Sequence, residues 1–142
     1  MKIIIVSGGF DPLHSGHIAY FKSAKAYGDK LVVALNSDSW LENKKGKVFM
    51  PFNERKAIIE SIGFVDDVIN FEDDELGSCI NALEKAKNIY PNDKLFFANG
   101  GDRSTKEVPE TPVCKKNNIR MIDGLGEKIR SSSSLTGLKE IK

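Results

Sequence analysis

Ser7-Gly8-Gly9-Phe10-Asp11-Pro12-Leu13-His14-Ser15-Gly16-His17 decides the fold. It follows a short apolar run, Ile3-Ile4-Ile5-Val6, and leads into a helical pattern from Ile18 to Tyr27. A strand, a glycine-rich turn and a helix start carrying two histidines form a device suited to phosphate. Gly8 and Gly9 permit a sharp turn and close approach of a ligand to the backbone. The first N–H groups of the following helix lack internal partners and sit at the positive end of its dipole, so they attract an anion. His14 and His17 are the chain's only histidines and lie three apart, a spacing that puts both on one helix face. Gly16, between them, removes a side chain where a nucleotide would pass. The plainer reading is a strand–turn–helix with two surface histidines.

The apolar run at the start reads as a strand buried on both faces. Leu31-Val32-Val33-Ala34-Leu35 reads as a second, so the first unit is β-α-β with a right-handed crossover and a parallel sheet. Further strands are expected at Val65–Phe71, Lys94–Ala98 and Ile119–Ile122. Ligands of such sheets sit outside the carboxyl ends of the strands, where both the histidine turn and the segment after Asn36 fall.

The bulk numbers fit one domain over residues 1–142, with 40% hydrophobic and 29% charged residues. A net charge of +1 argues against a general nucleic-acid or membrane surface. Cys79 and Cys114 show no metal-type spacing and read as buried thiols. The early apolar run is too short for a signal peptide or a membrane span, so a cytoplasmic protein is expected.

Gly9-Phe10-Asp11-Pro12-Leu13-His14-Ser15-Gly16-His17 resembles the G-x-F-D-x-x-H-x-G-H signature of the cytidylyltransferase-like nucleotidyltransferases. Glycerol-3-phosphate cytidylyltransferase and the heptose-phosphate adenylyltransferase domain are similar in pattern. The H-x-G-H core is shared with class I aminoacyl-tRNA synthetases, whose length and basic tRNA surface are missing here. The resemblance implies a Rossmann-like three-layer α/β sandwich with a five-stranded parallel sheet. It implies a transferase that moves CMP, or else AMP, from CTP or ATP to a small phosphorylated acceptor. Mg²⁺ would accompany the nucleotide, and a homodimer is expected. A non-catalytic nucleotide-binding module on the same fold is the alternative.

The resemblance also carries site residues. His14 and His17 would donate to the triphosphate, and Gly8, Gly9, Phe10 and Gly16 would shape the nucleotide pocket. Ser37 to Lys47 reads as a mobile basic loop in which Lys44, Lys45 and Lys47 match phosphate-binding residues, Lys44 first. Lys45 and Lys47, with Asp11 and Arg55, would handle the acceptor. Asn53 reads as the N-cap of a helix in which Arg55 stands in the first turn, a poor place for a cation. Asn99-Gly100-Gly101-Asp102 matches the nucleoside-side segment, with Asp102 as the family's aspartate and Arg103 where relatives have an aromatic. Arg130-Ser131-Ser132-Ser133-Ser134 resembles the segment that binds the β and γ phosphates, with Arg130 as an added cation.

Overall fold

The computed structural model describes residues 1–74, 78–100 and 110–125. Among these residues ten elements follow in order: β1 (Lys2–Gly8), α1 (Ser15–Lys25), β2 (Lys30–Leu35), α2 (Asp38–Lys45), α3 (Phe52–Glu60), β3 (Asp67–Ile69), α4 (Ile80–Ile89), β4 (Lys94–Gly100), α5 (Thr111–Lys116) and β5 (Arg120–Leu125). The strands form a five-stranded sheet in the order β3-β2-β1-β4-β5, with every pairing parallel. This is the Rossmann-like sandwich expected from the sequence.

Both faces of the sheet are covered, which explains why β1 and β2 read as unbroken apolar runs. Ile3 and Ile5 point to one cluster, with Val32, Ala34, Leu83 and Ala86 of α4, and Cys114 of α5. Ile4 and Val6 point to the other, with Leu31, Val33, Phe21 and Ala24 of α1, and Ile59 of α3. The chain crosses from one face to the other between β1 and β4. That reversal opens a crevice at the carboxyl edge. Asp66 ties the layers together: it pairs with Lys25 of α1 and accepts the Leu31 N–H at 2.8 Å.

Several boundaries differ from expectation. Residues 38–45 form helix α2 rather than a mobile loop. Ser37 Oγ accepts the Trp40 N–H at 3.0 Å, and Gly46 closes the helix in the left-handed region at φ 79°. Helix α3 begins at Phe52 behind Pro51, so Asn53 is not its cap. β3 is confined to three residues. Before α4, which starts at Ile80, the Asp74 carboxylate accepts the Ser78 N–H at 2.8 Å.

Cys79 and Cys114 are buried thiols that form no disulfide. Burial, and then the neighbouring Glu110, push the Cys114 thiol up to about 12. Both thiols should therefore resist a disulfide-exchange reagent in the native protein and react only after denaturant is added, as absorbance during thiol titration would show.

Candidate active site

The histidine turn is held by reciprocal contacts. His14 is the N-cap of α1, and its Nδ1 accepts the Gly16 N–H at 3.0 Å. His17, at the third helical position, accepts the His14 N–H on its own Nδ1 at 3.2 Å. This is a capping box built from two imidazoles. A ring that accepts on Nδ1 carries its proton on Nε2 when neutral. The rings stack with centroids 3.7 Å apart and planes 21° apart. The expected pairing of the two rings on one face is therefore present. The helix amides play a smaller part than expected, since Gly16 and His14 donate to the rings and His17 donates to the His14 carbonyl. Donor capacity passes from the backbone to the two Nε2–H groups.

His17 is kept neutral. Burial, then His14, then Lys45 lower its pKa from 6.5 to about 3. Lys45 Nζ lies 3.3 Å from the Asp11 carbonyl oxygen, so the end of α2 folds back on the turn. Lys44 lies 4.7 Å over the Trp40 ring and Lys47 lies 5.2 Å over Phe49. Lys45 thus contacts the histidine turn and contributes to lowering the His17 pKa.

Four residues read as ligand contacts have structural work instead. Phe10 is buried, in the left-handed region at φ 51°, and its ring meets His17 at 4.9 Å and Phe21 at 5.0 Å. Gly8 makes room for that ring, since a Cβ there would lie 2.8 Å from Phe10 Cζ. Gly9 makes room for α2, since a Cβ there would lie 2.5 Å from Leu41 Cδ2 and 3.1 Å from Trp40 Cζ3. Asp11 is buried, and its carboxylate accepts the Phe49 and Met50 N–H groups, each at 2.7 Å. Both glycines leave room for side chains of the chain itself, and the Asp11 carboxylate is turned to the Phe49 and Met50 amides.

Arg55 is the largest departure. It is fully buried, and its guanidinium is taken up inside the protein. Nε donates to the Met50 carbonyl at 2.8 Å, and Nη1 to the Gly9 and Asn36 carbonyls, each at 2.8 Å. Nη2 pairs with Asp38 at 2.6 Å. Arg55 is thus a brace for the site and does not reach an acceptor phosphate. Gly101, Asp102, Arg103, Arg130 and Ser131 to Ser134 lie outside the described residues. Among the described residues, no three His, Cys, Asp or Glu side chains cluster as a metal site. None of the described helices is long and apolar enough to cross a membrane.

The parallel sheet flanked by helices defines a Rossmann-like α/β protein. The chain belongs to the cytidylyltransferase-like family, whose model matches residues 5–121. It is 35% identical over 125 residues to the bifunctional protein HldE of Campylobacter concisus, covering 86% of this chain and 24% of that one. It is 31% identical over 134 residues to the HldE of Campylobacter curvus, covering 92% and 26%. The chain thus spans about a quarter of the length of these relatives. Among solved structures it resembles the lipopolysaccharide core biosynthesis protein of Thermoplasma volcanium. That match has a TM-score of 0.67 and 26% identity, covering 89% of this chain and 98% of that one. A bifunctional NMN adenylyltransferase/ADP ribose pyrophosphatase of Francisella tularensis shares the fold, at TM-score 0.66 and 20% identity, covering 94% and 40%.

Two outcomes follow. Replacing Arg55 by Met strands the Gly9, Asn36 and Met50 carbonyls and should cost about 3 kcal/mol or more. Arg55→Lys should restore little, because one ammonium cannot span the fork. Urea unfolding reads both. The second concerns pH. The unfolded chain protonates His17 near 6.5, whereas the folded one resists until about 3. The stability that neutral His17 contributes is whole above pH 6.5 and is lost as pH falls through that window, by about 1.4 kcal/mol per unit. His17→Gln should flatten the slope of unfolding free energy against pH by about one proton.

Proposed function

We propose that the chain transfers an adenylyl group from ATP to a small phosphorylated sugar and releases pyrophosphate. The observation that carries this reading is the stacked pair of imidazoles at the crevice, each accepting a backbone N–H on Nδ1, which directs the proton of a neutral ring to Nε2. The HldE relatives support AMP over CMP as the group moved, and nothing in them favours the cytidylyl preference expected from the lysine stretch.

The chemistry asks little covalent work of the protein. An acceptor phosphate oxygen attacks the α-phosphorus in line. One P–O bond forms, the bond from the α-phosphorus to the bridging oxygen breaks, and the electron pair leaves with pyrophosphate. The protein must align two anions and stabilise charge on the α-phosphate oxygens and the leaving group. His14 and His17 donate from Nε2 to those oxygens, most strongly in the transition state. His17, neutral well below pH 6.5, need not lose a proton first. Lys45 adds positive charge beside them, with Lys44 and Lys47 further along the same stretch. Arg130 and Ser131 to Ser134 hold the leaving phosphates, and Gly101 with Asp102 reads the nucleoside. Mg²⁺ accompanying the nucleotide would offset the mutual repulsion of the phosphates.

The test is pyrophosphate release with ATP, CTP, GTP or UTP, Mg²⁺ and a panel of sugar and polyol phosphates. ATP with a sugar phosphate should be fastest. His17→Ala should lower kcat by about a hundredfold or more with the fold intact by circular dichroism. Unchanged kcat removes His17 from the reaction. ATP binding without pyrophosphate release across the whole panel marks a non-catalytic module instead.

A further inference from the structure

Asn36 stands at the carboxyl edge of the sheet, directly after β2. Along β2, Leu31, Val33 and Leu35 side chains enter the α1 face, while Val32 and Ala34 enter the α4 face. Asn36 continues the second series. Its backbone is fully used: the N–H donates to the Gly8 carbonyl at 3.0 Å, and the carbonyl accepts from Arg55 Nη1 at 2.8 Å. The residue is only 4% exposed, yet its Oδ1 has no hydrogen-bond partner among the described residues. Folded proteins seldom leave a buried side-chain acceptor without a donor. A leucine of nearly the same shape would carry no such cost.

We infer that Asn36 is a specificity-determining residue whose carboxamide binds a hydroxyl group of the acceptor. The inference rests on the transferase reading given above. Position on the sheet favours the acceptor. In the order β3-β2-β1-β4-β5, β2 lies on the opposite side of β1 from β4. The nucleoside was assigned to the carboxyl end of β4, which leaves the β2 edge for the second substrate. The element after Asn36 is α2, which returns Lys45 to the Asp11 carbonyl. An acceptor phosphate near Lys45 and the histidines would therefore have its carbon skeleton over Asn36. Chemistry narrows the class further. An amide oxygen needs an O–H or N–H donor; a phosphate or carboxylate offers none at neutral pH, whereas a polyol or sugar offers several. Ribose hydroxyls share that chemistry, and the assay separates the two sources.

The experiment compares wild type with Asn36→Leu, using the sugar 1-phosphate that gives the fastest pyrophosphate release and its monodeoxy analogues. The variant should lose about tenfold or more in kcat/KM for the acceptor, keep its KM for ATP within about twofold, and melt no lower than wild type. Wild type should reject one deoxy analogue by a similar factor, and the variant should not distinguish it from the parent sugar. Acceptor constants that do not change overturn the inference. So does a rise confined to the KM for ATP, which would assign the amide to ribose. So does a fall in Tm with both constants unchanged, which would make the amide a structural group. If wild type itself releases no pyrophosphate with any acceptor, the transferase reading fails first and takes this inference with it.

Discussion

Arg55 brings a full positive charge into the interior, and the site depends on it. Three main-chain carbonyls and one carboxylate converge on the guanidinium, from the turn after β1, the end of β2, the start of α2 and the segment before α3. A buried cation is tolerable only when its donors are met, and here four contacts meet them. Those carbonyls come from segments at the carboxyl edge that have no strand partner beyond that point. The planar fork thus replaces a missing stretch of ladder and fixes the histidine turn relative to α2. Asp11 does the complementary work as an anion, gathering the amides of Phe49 and Met50. One buried charge of each sign, both satisfied mainly by backbone, frames the loop.

On that frame rests an electrostatic choice. Two stacked imidazoles could not both be charged at such close range without strong repulsion, and Lys45 adds to the penalty. His17 is therefore a neutral group of fixed orientation, its Nδ1 held by the His14 N–H. Fixed dipoles need no reorganisation when charge develops on a phosphate, which is where such groups contribute most to rate. Phe10 supports the same outcome from behind. Its ring is wedged between Gly8, His17 and Phe21, and the strained φ at this residue is the cost of directing it inward.

The sheet and the histidine pair were legible because their signals are local. Strands buried on both faces announce themselves as apolar runs, and the i, i+3 spacing of His14 and His17 carries directly onto a helix. Helix α2 was obscured by its three nearby lysines, although Ser37 and Gly46 hold the capping residues that define its ends. The role of Arg55 was half visible: a cation in the first turn of a helix signals some outside demand. Its partners are backbone oxygens from distant segments, and a carbonyl leaves no trace in a residue code. The same reason hid Asp11. Gly8 and Gly9 were seen as permissive toward a ligand, whereas the chain itself fills the space above them. Asn36 gave no sequence signal because an asparagine after a strand ordinarily reads as a turn residue.

The close seat of Gly9 beneath Leu41 and Trp40 bears on how parts could be exchanged among such proteins. A transplanted α2 with a bulkier residue in place of Leu41 would collide with the turn and disturb both imidazoles. Any chimera designed to change substrate choice must therefore move the helix, the glycine beneath it and the arginine that clamps them as a single cassette.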